Sequence, residues 1–309
     1  MPYLQECVDS VLAQDFQDWE MIISDDGSID GTSVYLETLR DPRIRLFKQG
    51  MNLGIFGNLN FIFKKARAPI SQILCQDDYF VGSSSLQRII DYWRSASKEI
   101  GFACFNQDAL SDKGFVGFFK KVQPRLISPV ESDLWFYVFG CMPGNLSNVT
   151  LRTGLVAEVG WFREDLPYLG DYEFWSRAGR IRPYCFEPGV VTSVRSHAGQ
   201  ASVHLNRKGE YIEQEAEVVG ELFERLHGTV RVSELLLKLH ATIRSDAFQR
   251  KIAIKRLLTG QRDYLRELNK VSECSQHNLN ALLRWFIFIF SLGGRMGPRV
   301  TASQLLGLD

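Results

Sequence analysis

Hydrophobic and polar positions alternate in short, well-separated segments up to about residue 110. Leu4, Cys7, Val8, Val11 and Leu12 recur at helical spacing, and Pro2 suits a first turn, so residues 2–14 predict a helix. The run Trp19-Glu-Met-Ile-Ile-Ser24 reads as a short buried strand that leads directly into the polar stretch Asp25–Thr32. Thr32–Leu39 predicts helix, Ile44–Lys48 strand, Phe56–Ala66 helix, Ser71–Cys75 strand, Ser83–Ser97 helix with Ser83 as its cap, and Ile100–Phe105 strand. Strands separated by helices imply crossover connections, hence an α/β fold with a mostly parallel sheet flanked by helices. From about Asn206 the strand pattern stops: Glu210–Leu226, Val232–Leu258, Gln261–Val271 and Asn278–Leu292 all read as helix. The expected organisation is an α/β domain over 1–205 and a helical C-terminal region over 206–309, with a boundary near Leu205.

Composition narrows the class. The chain has 309 residues, is 45% hydrophobic, and balances 36 Lys/Arg against 36 Asp/Glu, which excludes a disordered chain or a disulfide miniprotein. Zero net charge also weighs against a general nucleic-acid binder, which carries a basic excess. The zero conceals segregation: 231–300 holds 13 basic against 5 acidic residues, while 1–204 holds 20 against 24. Six widely spaced cysteines without a Cys-x-x-Cys pair predict a reducing compartment with neither a disulfide framework nor a zinc site. The first residues lack a charged and apolar leader, and the apolar run Trp285–Leu292 is too short to span a bilayer, so the expected location is cytoplasmic.

Ligands of open α/β sheets sit beyond the carboxyl ends of the strands. That rule selects two acidic loops, Asp25–Gly31 and Gln76–Phe80. Asp26-Gly-Ser28-Ile-Asp30-Gly31 with Glu37 nearly fits a calcium loop of the EF-hand type, but a strand precedes it where that motif needs a helix. The alternatives are a solvated turn or ligand contacts, one carboxylate accepting from a base N–H or a ribose hydroxyl. The pair Asp77-Asp78 closing a strand suits a hard cation such as Mg²⁺ or Mn²⁺; a helix cap with a solvated neighbour is the plain alternative. In Gly170-Asp171-Tyr172-Glu173 the two carboxylates cannot share a helix face, and Asp171 fits either a cap or a general base. Arg195-Ser196-His197 follows the predicted strand Val190–Val194 and opens a small polar loop that suits a phosphate.

In order and spacing these elements resemble the inverting nucleotide-sugar glycosyltransferases of family 2, which have the GT-A fold. Leu4–Gln14 is similar to the family's first helix, Trp19–Thr32 to its hallmark strand and nucleotide loop, and Asn52-Leu-Gly54 with Asn58 to the segment after its third strand. Gln76-Asp-Asp78 stands at the place of the metal-binding Asp-x-Asp, Leu151–Phe162 resembles the acceptor-side segment, and Gly170-Asp171 the base motif. His197–Ser202 resembles the loop that closes over the diphosphate. The resemblance implies that Asp26, with Asp25 as the second choice, contacts a uracil or thymine base. It implies that Asp78, seconded by Asp77, binds the divalent cation, and that Asp171 deprotonates an acceptor hydroxyl. His197 and Arg195 are implied to contact the diphosphate, and His197 also the metal.

Three departures from the family pattern stand out. Met1 begins just after the turn that follows the family's first strand, so a central strand with a Pro-x-Tyr-Asn-like turn is expected to be missing, through a misassigned start or a truncation. The metal motif reads Gln-Asp-Asp, and the base motif Gly-Asp. The implied activity is inverting transfer from a UDP- or dTDP-type nucleotide-diphosphosugar to a saccharide or lipid-linked acceptor in surface-polysaccharide or glycolipid assembly. The competing reading is a catalytically impaired nucleotide-sugar binder or truncated scaffold. For the C-terminal region, basic helices leading to the aromatic run Trp285–Phe290 fit an anionic membrane surface and so a peripheral association at the inner face of the plasma membrane; a solvated, packed appendage is the alternative.

Overall fold

In a computed structural model the described residues are 3–197, 200, 210–227, 233–260 and 262–308. They fold as two compact units. The first comprises Met1–Ser111, Val122–Pro129 and Pro143–Ser196; the second comprises Asp112–Lys121, Val130–Met142 and His197–Asp309. Leu205, where the sequence pattern changes, lies outside the described residues.

The strands are β1 (Met21–Asp25), β2 (Ile44–Lys48), β3 (Ile70–Gln72), β4 (Tyr79–Phe80), β5 (Phe102–Cys104), β6 (Leu126–Ile127), β7 (Val149–Arg152), β8 (Tyr184–Phe186) and β9 (Thr192–Ser193). The helices of the first two thirds are α1 (Leu4–Leu12), α2 (Thr32–Leu36), α3 (Gly54–Lys65), α4 (Ser85–Ser95), α5 (Gly114–Val122), α6 (Pro129–Phe139), α7 (Leu155–Val159) and α8 (Gly170–Ile181). The α/β architecture is as expected, but the strand pairing is mixed rather than mostly parallel. A five-stranded sheet runs in the order β3-β7-β5-β8-β6, in which β5–β8 is parallel and the other three pairs are antiparallel. The reversal centres on β7, which runs against both of its neighbours, β3 and β5. A parallel pair β1–β2 and an antiparallel pair β4–β9 complete the strands. Among the described residues β1 pairs with β2 alone and β3 with β7 alone, and the Asn58 amide donates to the Ser24 carbonyl at 3.1 Å.

Apolar periodicity does the packing. Leu4 and Val8 of α1 bury against Leu36, with Met21, Ile23 and Leu46 around them. Val11 joins Phe80, Ile89, Trp93, Ala103 and Val191 in a second cluster. The expected Ser83 cap is not formed: Ser84 holds the position before α4, while the Ser83 hydroxyl donates to Asp15 at 2.7 Å.

The second unit is helical. After α5 and α6 it contains helices Glu210–His227, Glu234–Ala241, Ala247–Leu258, Asp263–Cys274, Ala281–Phe290 and Pro298–Leu306, with one π-helical stretch at Thr242–Asp246. The last helix was not expected from the pattern, although Pro298 in its first turn after Gly297 is a start signal. α6 is held to this unit by Tyr137, whose hydroxyl donates to the Leu237 carbonyl at 3.0 Å, and by an Arg225–Asp133 pair at 3.2 Å. No helix among the described residues is long and apolar enough to cross a membrane.

Candidate functional site

The acidic turn between β3 and β4 is supported from three directions. Cys75, Asp77 and Asp78 bring one thiol and two carboxylates within 4.8 Å of one another. Asp78 is fully buried, and both of its oxygens accept hydrogen bonds: Oδ2 from the Ser147 hydroxyl at 2.6 Å and Oδ1 from the Arg195 backbone N–H at 2.9 Å. Burial pushes its carboxyl above the ordinary value; the donors from Ser147 and Arg195 pull the other way, the Asp77 charge adds to the rise, and the net direction is upward. From below, α1 seats the turn. Cys7 donates weakly to the Cys75 carbonyl, Ser10 accepts from the Phe80 N–H at 3.1 Å, and the Gln14 amide spans Gly82 and Leu86.

Arg195 also supports this turn through its guanidinium. It donates to the Asp77 carbonyl at 2.8 Å, pairs with Glu6 of α1, and lies over the rings of Tyr79 and Tyr3 at 4.5 and 4.9 Å. The positive charge thus fixes the backbone of the turn. The donor set fits a hard divalent cation, because two adjacent carboxylates, one of them buried, are a like-charged pair that such an ion relieves. The thiol fits less well, since burial pushes Cys75 up to about 12 and keeps it protonated. His197 is not a member of this cluster; it belongs to the second unit, where it exchanges hydrogen bonds with Gln200. Of the loop His197–Ser202, only His197 and Gln200 are among the described residues.

The second acidic loop follows β1. Asp25 is buried and accepts from the Ser28 N–H at 2.9 Å and from the Ser33 hydroxyl. Burial alone would raise its carboxyl, but these hydrogen bonds outweigh it and hold the group below its ordinary value. Asp26 reaches outward to the start of α3, accepting from the N–H groups of Leu53 at 2.7 Å and Gly54 at 3.0 Å. Its charge faces the positive end of that helix. The calcium-loop reading fails here: a strand precedes the loop, and Asp25, Asp26 and Asp30 each face different donors.

Asp171 stands in the first turn of α8, half-buried, with Oδ1 accepting from the Tyr172 N–H at 2.7 Å. Its neighbour Glu173 is 2% exposed and forks with Arg177, whose guanidinium also holds the carbonyls of Val159 and Trp161. Glu173 is therefore structural, whereas Asp171 is only half-buried. The start of α8 is packed on α3: Phe56 stacks on Phe162 at 5.6 Å, Phe162 on Phe174 at 3.7 Å, and Asn60 exchanges two hydrogen bonds with the Phe162 backbone. One continuous set of contacts thus runs from Asp26 through α3 to Gly170 and Asp171. Sequence reading missed Ser147, Glu6 and Cys75, because nothing local marks a serine 69 residues away as the donor to Asp78.

Residues 1–121 match the model of glycosyl transferase family 2. An uncharacterised glycosyltransferase of Haemophilus influenzae is 24% identical over 215 residues, covering 67% of this chain and 65% of that protein. An Escherichia coli protein named UDP-Glc:alpha-D-GlcNAc-diphosphoundecaprenol beta-1,3-glucosyltransferase is 27% identical over 67% of this chain and 76% of its own length. The chain spans 65% of the first of these curated relatives and 34% of an uncharacterised glycosyltransferase of Rickettsia felis. Among solved structures, S. aureus TarS 1–349 in complex with UDP-GlcNAc superposes with a TM-score of 0.61 at 15% identity, over 99% of this chain and 88% of that one. A Pyrobaculum calidifontis mannosyltransferase in complex with GDP-Man and Mn²⁺ gives 0.52 at 14% identity, over 99% and 82%. Residues 1–121 thus match glycosyl transferase family 2, and the α/β fold that carries them is GT-A-like.

Proposed function

We propose that this chain transfers a sugar from a nucleotide-diphosphosugar of the UDP or dTDP type to an acceptor hydroxyl, with inversion at the anomeric carbon. The observation that carries the reading is the buried Asp78 beside Asp77, fixed by Ser147 and Arg195, within a family 2 segment. Asp77 and Asp78 would hold Mg²⁺ or Mn²⁺, which when bound neutralises charge on the departing diphosphate. Asp26 has lone pairs beyond those used by Leu53 and Gly54, and these are available to a base N–H. Asp171, in the first turn of α8, takes the proton of the attacking hydroxyl. A single attack opposite the leaving group inverts configuration and needs no covalent nucleophile. Arg195 acts by holding the metal turn.

In this reading residues 1–205 perform the chemistry and 206–309 hold the protein at an anionic membrane surface. The acceptor is a saccharide or a lipid-linked saccharide of surface-polysaccharide or glycolipid assembly, a reading supported by the lipid-diphosphate acceptor in the name of the Escherichia coli relative. The test is donor hydrolysis and transfer with UDP-sugars, with Mn²⁺ and with chelator. Asp171→Asn is expected to bind donor as wild type does and to lose about 10²–10⁴-fold in turnover. Asp78→Asn is expected to lose the response to Mn²⁺. A wild-type protein that binds UDP-sugar but turns none over, with any acceptor or water, would instead establish the non-catalytic binder.

A further inference from the structure

Helix Ala281–Phe290 is built inside out. Its one charged residue, Arg284, is its one buried residue, at 3% exposure. Arg284 Nη1 donates to the carbonyls of Ser272 and Leu279, both at 3.0 Å, and the guanidinium lies 3.8 Å from Asp246. Asp246 is already held by the fully buried Arg250 and by the Ser272 hydroxyl at 2.7 Å. A buried guanidinium is costly unless it is paired and hydrogen-bonded, so this polar pocket fixes which side of the helix faces in. What then faces out is Leu282, Phe286, Ile289 and Phe290, at 85, 57, 61 and 66% exposure. Their spacing makes one stripe on the helix.

The apolar surface continues along the chain. Leu292, Met296 and Val300 are exposed beyond the helix, and Gly293 and Gly294 pack beside Lys251 and the exposed Phe248. Charge is one-signed here: no Asp or Glu occurs between Ser275 and Leu308, whereas Arg295 and Arg299 are exposed, as is Lys251. A helix with a polar inner face and an apolar, cation-bordered outer face is the reverse of a helix made to face water. We infer that this face is a membrane-interface element. The ten-residue helix, about 15 Å long, lies in the plane of an anionic bilayer surface with Leu282, Phe286, Ile289 and Phe290 at the acyl-chain boundary and Lys251, Arg295 and Arg299 on lipid phosphates. A second copy is the poorer occupant, because a two-fold contact would set this acid-free, arginine-bearing segment against itself.

The inference rests on the membrane part of the proposed function and not on sugar transfer. The experiment is sedimentation of the full chain with vesicles of phosphatidylcholine alone or mixed with phosphatidylglycerol, at low salt and at about 0.5 M salt. Binding is expected to the anionic vesicles and to weaken with salt. Phe286→Glu with Ile289→Glu is expected to lower the bound fraction at least about tenfold. Both side chains are exposed, so folding is retained; unchanged UDP-sugar binding without vesicles verifies this and keeps any failure of transfer separate. A second readout needs no charged substitution: dibrominated lipid is expected to quench wild-type tryptophan fluorescence more than that of Trp285→Phe. Absence of wild-type binding, binding unaffected by the double substitution, or a dimer that the double substitution dissolves in a protein that ignores vesicles would each overturn the inference.

Discussion

Gly170 is the position where a single methyl group tests the site most directly. A Cβ there would lie 2.6 and 2.7 Å from two ring carbons of Phe56 and 3.1 Å from the Arg163 carbonyl oxygen. Carbon atoms pack at about 3.5–4.0 Å, so the two parts must separate by roughly 1 Å. Phe56 cannot yield easily, because it is stacked on Phe162, which is stacked in turn on Phe174 of α8 itself. The displacement therefore falls on the first turn of α8 and carries Asp171 with it. Overpacking of this kind costs about 1–3 kcal/mol, against less than about 1 kcal/mol regained from the helix preference of alanine in a first turn. The net loss of about 1–2 kcal/mol lowers Tm by about 2–8 °C for a unit of this size. A base misplaced by about 1 Å loses on the order of 10²-fold in turnover. Gly170→Ala should therefore show that loss at saturating donor, with donor affinity changed far less. Adding Phe56→Ala relieves the overlap and should recover part of the rate, a non-additive pair. Wild-type turnover and Tm in Gly170→Ala would refute the claim that this contact sets the position of Asp171.

Other consequences can be measured with the same preparations. Ser147→Ala removes one donor from the buried Asp78 and should destabilise the protein by about 1.5–3 kcal/mol in denaturant titrations; wild-type stability would show that the Asp78 carboxylate does not depend on it. His240 is buried between the Val138 carbonyl at 3.0 Å and the Thr301 hydroxyl at 2.7 Å, and burial pushes its imidazole down to about 3. The carbonyl can only accept, so Nε2 carries the proton and Nδ1 accepts from Thr301. The folded state then binds fewer protons than the unfolded one, so this contribution is whole above about pH 6.5 and is lost as pH falls toward 3. His240→Gln should flatten stability against pH over that range by up to about 1.4 kcal/mol per pH unit, and an unchanged slope would contradict it.

The sequence by itself determined the local elements and the places where chemistry sits. Periodicity located α1, β1, β2 and most of α3, because each buries one stripe or one run against the first unit's core, and the rule about strand ends selected the loops at Asp25 and Asp77 before any packing was known. Ile44–Lys48 was legible to the residue. Partner choice was not. Whether β7 pairs parallel or antiparallel depends on the path of the chain between strands, which hydrophobic alternation does not encode. Ser147 reaches Asp78, and Arg195 turns toward Glu6 and two tyrosines, only because distant segments converge. Glu173 and Asp171 look equivalent in the chain; burial and Arg177 separate them. The same holds in the second unit, where the apolar run at Trp285 reads either as a membrane-surface helix or as a packed one. Arg284 has one stable place, beside Asp246, and that decision of tertiary structure turns the aromatic face outward.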